Sequence, residues 1–409
     1  MSSLRSRLSR PVVLVAIALT VVLVAVVAVA VLATRGDPGD GQRSTAPLPQ
    51  EPGELLEATP VAEGAPEGSR AWRILYTTSD REGTTIEATA GVYAPADTSL
   101  TDLPVVAWGH GTSGFARACS PSLQPDPMAA GSMYVADEVI DRGWVLVSPD
   151  FPGLGDDGDQ PYLIGEGAGR ALLDAAQAAR DLDDLDTAPE TVVWGFSQGG
   201  HAALWAGGLQ PAYAPDAELA GVAALAPATF LKETFDRLPA QDRIFAAYTM
   251  ASYDAAYDDV RWSDYATEEG ESFGREVAAE CLPDPQAYSE LATEVMSFQD
   301  GALFDQYFAS GAMGKRLTEN EPELPVEAPL LMAQGATDTV VLPERQAEFA
   351  TRACARGQVL EYVTVEGRDH LGLVLEDSPL FPDLFAWTEA RFGGTPGPAE
   401  CVRRTAGRG

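Results

Sequence analysis

Short, almost wholly apolar runs recur along this chain and constrain its fold more than any other feature. They are LPVVAW (103–108), GWVLVSP (143–149), TVVWG (191–195), LAGVAALAP (219–227), PLLMAQG (329–335) and VLEYVTV (359–365). A strand that is apolar on both faces must be covered on both faces, which is the condition of a parallel sheet with helices on either side. Helical stretches such as GRALLDAAQAARDL (169–182) and PERQAEFATRACA (343–355) lie between them. Strand alternating with helix predicts a doubly wound α/β domain with right-handed crossovers. Ahead of the first run, AWRILYTTS and TTIEATAGVYAP flank a tight turn and read as an antiparallel hairpin, so the sheet is mostly parallel.

One segment breaks the alternation. From 229 to 324 no good strand appears, and Phe230, Phe235, Phe245, Tyr248, Met250, Tyr253, Tyr257, Trp262, Phe298, Phe304, Tyr307 and Phe308 recur in helix-like patterns. About 95 residues inserted between two sheet strands would form a mainly helical cap. Most of these side chains are expected to build its core, and a minority to line an apolar substrate tunnel. The expected organisation is thus a core over 70–228 and 325–395, the cap over 229–324, and a tail over 396–409.

The amino-terminal region reads differently. Arg5, Arg7 and Arg10 precede an uncharged stretch from Pro11 to Thr34. At about 1.5 Å per residue this spans about 36 Å, enough for the hydrocarbon core of a bilayer. Residues 1–35 are therefore a signal-anchor or a signal peptide, the length favouring the anchor and the small-x-small triplet Ala28-Val29-Ala30 favouring cleavage. The positive charges ahead of it orient the rest of the chain outward. Either way the protein is extracytoplasmic, either secreted or held at the outer face of the membrane. Residues 36–69, dense in Pro, Gly, Glu and Ala, read as a flexible acidic linker.

Charge excludes one class of partner. With 61 acidic against 27 basic residues the net charge is −34, which repels phosphate backbones and argues against nucleic acid. The surface is either simply solvating or adapted to salt. Cys119, Cys281, Cys354 and Cys401 lie far apart, with no C-x-x-C pair, and only three histidines are present. Metal-ligand spacing is absent, and two long-range disulfides suit the extracytoplasmic compartment. No metal or cofactor is expected.

The run TVVWG leads into Gly195-Phe196-Ser197-Gln198-Gly199, then into the helix-forming GGHAALWAGG. G-x-S-x-G is a short pattern, but a strand before it and a helix after it are what a nucleophile elbow requires. A serine hydroxyl needs a base to take its proton. His201 lies one turn further along the same helix and reads as a packed, hydrogen-bonded side chain. His110, in AWGHGTSG, follows the first of the apolar strands and is suited to shaping that loop. His370, late in the chain after VLEYVTV, occupies the place of the general base in the order Ser…Asp…His. Asp338, in the loop after PLLMAQG, would orient it. Asp369 is adjacent to His370 and reads as surface charge. The backbone amides of Gln198 and Thr112, with Gly111 or Ser113 as neighbouring choices for the second, would form an oxyanion hole.

These residues resemble the secretory lipase family of α/β-hydrolases, the lipase A type. The marks are PGELLEATPV, AWRILYTTSD, GHGTSG followed by CSPS, SPDFPGLG, GFSQGGHAALWA, GATDTVV and DHLGL, between about Pro52 and Phe392. The resemblance implies an α/β-hydrolase fold, a Ser197–His370–Asp338 triad, an oxyanion position near Thr112, and a Cys119–Cys281 disulfide, leaving Cys354 and Cys401 for each other. It also implies a carboxylic-ester hydrolase acting on a lipid or small ester. Two rivals keep the same residues: a serine peptidase or amidase, and an inactive hydrolase fold that binds at the cell surface. Acyl-chain length and oligomeric state are not legible in the sequence. Unfolding measured across a salt series separates the two surface readings, because a salt-adapted surface loses stability as screening is withdrawn.

Overall fold

The computed structural model describes residues 51–407 apart from 157, 159, 299–302, 305 and 306. The amino-terminal signal or anchor segment expected over 1–35, and the first part of the expected linker, lie outside the described residues. Among those described, no helix is long and apolar enough to cross a membrane.

Ten strands form one sheet: β1 (Leu55–Val61), β2 (Ser69–Ser79), β3 (Thr85–Pro95), β4 (Leu103–Gly109), β5 (Val145–Pro149), β6 (Thr187–Phe196), β7 (Glu218–Leu225), β8 (Leu330–Gly335), β9 (Glu361–Val365) and β10 (Val402–Ala406). Their spatial order is β1-β2-β3-β5-β4-β6-β7-β8-β9-β10. β1, β2, β3 and β5 pair antiparallel, and every pair from β5 through β10 is parallel. The apolar runs each supply a strand, and the hairpin supplies β2 and β3. The sheet is the expected mostly parallel one.

Both ends of the sheet correct the sequence reading. The region assigned to a flexible linker holds β1, and the region assigned to a tail holds β10. The reason is that both are edge strands. β1 is largely exposed and contains Pro60, which an edge tolerates; β10 reads VRRTA and is also largely exposed. Neither buries a continuous apolar face, so neither leaves the hydrophobic signature of an inner strand.

The described helices are α1 (Pro127–Ala130), α2 (Ala136–Asp141), α3 (Gly165–Ala179), α4 (Gln198–Tyr213), α5 (Leu231–Phe235), α6 (Arg243–Ala256), α7 (Glu268–Ala279), α8 (Pro285–Ser297), α9 (Gly311–Glu319), α10 (Pro343–Ala355) and α11 (Phe381–Phe392). α3, α4 and α10 cover one face of the sheet, where Leu172, Ala203 and Phe349 meet Val105, Val193 and Met332. α2 and α11 cover the other, packing Val139, Phe385 and Trp387 on Trp108 and Trp194. α5 to α9 lie between β7 and β8. They bury Tyr248, Met250, Tyr253, Trp262 and Phe308 in a third cluster, shared with Tyr162, Leu163 and Ile164 from the loop before α3. Phe230 instead joins the sheet core, and Tyr307 is exposed.

One buried carboxyl stitches three elements. Asp174 of α3 is 5% exposed, and its Oδ2 accepts from Thr78 Oγ1 of β2 (2.6 Å) and Tyr213 Oη of α4 (2.7 Å). Burial pushes its pKa up to about 7, against those hydroxyls and nearby Arg170. The unfolded chain holds that proton only to about pH 4. The folded state therefore binds the extra proton between these values, and the stability it contributes is lost as pH rises from about 4 through about 7. Asp174→Asn should remove this component. The difference in unfolding free energy between variant and parent, measured by urea titration, is expected to grow over that window, reaching a few kcal/mol at most, and to level off above it.

Candidate active site

Three side chains from distant parts of the chain meet at the carboxyl ends of the parallel strands. Ser197 sits between β6 and α4 with φ +55°, a conformation that costs a non-glycine residue energy and persists only where its surroundings enforce it. They do so through backbone contact. A Cβ on Gly195 would stand 2.0 Å from Gly199 O, and one on Gly199 would stand 1.8 Å from Gly109 O. The start of α4 is thus pressed against the ends of β6 and β4. Ser197 N donates to Leu225 O at the end of β7 (2.9 Å), fixing the turn to a third strand.

The hydroxyl raised by this turn is 3.0 Å from His370 Nε2, in the loop after β9. His370 Nδ1 is 2.7 Å from Asp338 Oδ2, in the loop after β8. Asp338 is 3% exposed yet well supplied with donors. Its Oδ1 accepts from Val340 N (2.8 Å) and Val341 N (2.9 Å), and its Oδ2 accepts from Gln334 Nε2 (2.8 Å). With its lone pairs so occupied, the carboxylate is fixed in place to orient the imidazole. Phe196 packs its ring 4.8 Å from that of His370 and shields it on one side. Such a chain allows the imidazole to take the serine proton while the carboxylate stabilises the resulting charge.

The other two histidines are buried and placed for packing. His201 donates through Nε2 to Asn320 O (2.7 Å), and burial lowers its pKa to about 4, so it stays neutral. His110 donates through Nδ1 to Gly111 O (2.6 Å) and packs on Phe151 at 4.7 Å. Burial lowers its pKa as well. Asp369 is exposed, and its Oδ1 accepts from Gly372 N (2.8 Å), capping the turn that follows His370.

A cavity of about 330 Å³ opens over the triad, lined in part by Thr112, Phe196, Ser197 and His370. Thr112 is held by a 2.9 Å hydrogen bond between its hydroxyl and that of Tyr162. Gln198 opens α4, where the backbone N–H groups lack intrahelical partners. Of the aromatic residues expected to line a tunnel, Phe245 does so, joined by Tyr288, whose ring stacks on it at 6.0 Å. A larger cavity of about 570 Å³ lies elsewhere, around Pro322–Leu330, and shares no residue with the triad's own.

The loop carrying Thr112 is bound to the helical segment. Cys119 and Cys281 form a disulfide, Gly114 and Cys281 form a β-bridge, and Leu282 N donates to Ser113 O (2.7 Å). Closing a loop of 162 residues is worth about 5 kcal/mol in the chain-entropy model. The second disulfide, Cys354–Cys401, joins α10 to the start of β10. Among the described residues no group of His, Cys, Asp or Glu is arranged to hold a metal.

Sequence reasoning missed Gln334, Asp242 and Tyr288. Gln334 had a visible signal, a polar residue inside an otherwise apolar inner strand. The other two had none, since only the tertiary fold brings them over the triad.

The sheet order, the strained serine turn and the hydrogen-bonded Ser–His–Asp chain define an α/β-hydrolase. Comparison with known proteins narrows this. The sequence profile of the secretory lipase family matches residues 127–399, and the chain belongs to that family. It is a carboxylic-ester hydrolase, and its kin and disulfides put it outside the cytoplasm. A secreted triacylglycerol lipase of Malassezia globosa is 25% identical over 369 residues, covering 84% of this chain and 76% of that one. The closed state of Candida antarctica lipase A superposes with a TM-score of 0.71 at 18% identity, over 87% of this chain and 86% of the other. A rice cell wall degrading esterase, LipA from Xanthomonas oryzae, gives a TM-score of 0.64 at 17% identity, over 83% and 97%. Both structures share the fold.

Gly199→Ala should be among the most damaging single changes in the chain, because the new methyl group meets backbone that cannot step aside. A loss of about 3 kcal/mol or more is expected in urea unfolding, together with loss of ester turnover. The same change at Gly83, where a Cβ has open space but φ is +83°, should cost less.

Proposed function

We propose that this enzyme hydrolyses lipid esters, acylglycerols or close analogues, through an acyl-enzyme on Ser197. The observation that carries the reading is the continuous hydrogen-bond chain from Asp338 through His370 to the Ser197 hydroxyl. His370 takes the proton from Ser197 as the oxygen attacks the ester carbonyl. The amides of Thr112 and Gln198 stabilise the oxyanion, assisted by the amino-terminal end of α4. His370 then protonates the leaving alcohol, and in the second half-reaction it deprotonates water to release the acid. Asp338 holds the ring in the tautomer that leaves Nε2 free to accept.

Membrane proximity belongs to the same proposal. An uncleaved apolar stretch over Pro11–Thr34 would tether the catalytic domain at the outer face of the membrane, close to its substrate. The mass of the mature protein, set against the sequence mass of 43.2 kDa, tests this: the full mass supports the tether, and loss of the first 30 or so residues overturns it.

Ser197→Ala is the decisive variant. Turnover of p-nitrophenyl butyrate should fall by about 10⁴-fold or more, and covalent labelling by a fluorophosphonate should vanish. Asp338→Asn should keep the label slow but detectable, with kcat down by about 10⁴-fold. Retained turnover in Ser197→Ala overturns the assignment.

A further inference from the structure

The cavity over the triad carries three acids and, among the described residues that line it, no lysine or arginine. Asp369 flanks His370, and Asp284 stands at the amino-terminal end of α8. Both are exposed, and each already gives an oxygen to a neighbouring backbone amide. Asp242 differs. It precedes α6 and is 1% exposed. Among the described residues the one donor to its carboxyl is Tyr288 Oη, on α8. Tyr288 in turn is fixed by stacking on Phe245. Burial, with a smaller push from Asp338, raises the Asp242 carboxyl above the ordinary range, while Tyr288 and His370 oppose that rise. A charge held in such a poorly solvated wall is screened far less than one at the rim.

We infer that Asp242, held by Tyr288, is a specificity-determining residue that turns the site against esters bearing a negative charge and towards neutral or cationic ones. The inference rests on the reading that esters are cleaved at Ser197. An anionic substituent brought into the cavity faces Asp242 with no cation to compensate. The acid released in each turnover ionises beside the same carboxylate and is repelled. A neutral ester enters without that penalty, and a cationic one gains from it.

The test uses three esters of matched acyl length at pH 8.5: p-nitrophenyl pentanoate, the mono-p-nitrophenyl ester of glutaric acid, and p-nitrophenyl 4-(trimethylammonio)butanoate. In the parent enzyme, kcat/KM for the anionic ester is expected below about one-tenth of that for the neutral one. In Asp242→Asn the anionic-to-neutral ratio should rise tenfold or more and the cationic-to-neutral ratio should fall, whatever happens to the neutral rate itself. Equal use of the anionic and neutral esters by the parent overturns the inference. So does a low ratio that Asp242→Asn leaves in place, which would assign the discrimination to the surface charge as a whole. Should Asp242→Asn not fold, product inhibition of the parent decides: pentanamide is expected to inhibit at least tenfold more strongly than pentanoate, and equal inhibition overturns the inference. Failure of the underlying reading shows separately, as neutral-ester turnover that survives Ser197→Ala.

Discussion

The close approach of Gly199 to Gly109, with Gly195 beneath the same turn, is the contact on which the site depends. It brings the start of a helix within backbone distance of two strand ends. That proximity forces Ser197 into a left-handed conformation and lifts its hydroxyl clear of the sheet. The same contact sets the start of α4 against the backbone of Gly109 and His110, where Thr112's loop begins. The turn at Ser197 and the placement of the start of α4 are therefore consequences of one steric arrangement. No side chain other than hydrogen fits at either glycine without moving backbone.

The inner sheet was legible because burial on both faces leaves a largely apolar run, and each such run became a strand. Ser197, His370 and Asp338 were legible for a related reason: each lies just beyond one of those strands, where a parallel sheet exposes its loops. The edges were not legible. β1 and β10 lie at the rims and are partly exposed, so Pro60, Arg403 and Arg404 occupy positions that an inner strand would give to valine or isoleucine. Backbone pairing holds them, and backbone pairing has no residue signature. Within the helical segment, composition gave the helices but not which aromatic residues face the triad. Phe245 and Tyr248 are three residues apart on one helix, yet Phe245 borders the cavity and Tyr248 is sealed in the segment's interior.

The electrostatics of the molecule are uneven in a useful way. Asp338 is a buried carboxyl surrounded by donors, Asp174 a buried acid pushed towards neutrality, and Asp242 an acid with, among the described residues, one hydroxyl donor and an open cavity beside it. The same side chain thus does three kinds of work according to how many hydrogen bonds reach it. Overall composition, with its excess of acid, carries none of this distinction.

The link between Cys119 and Cys281 bears on how the enzyme matures. Its two halves emerge 162 residues apart, so the loop bearing Thr112 is synthesised long before the sulfur that will anchor it. While the thiols stay reduced, that loop lacks its covalent anchor to the helices above it. Oxidation outside the cytoplasm then adds a covalent link to the Gly114–Cys281 bridge and the Leu282–Ser113 hydrogen bond that join the two non-covalently.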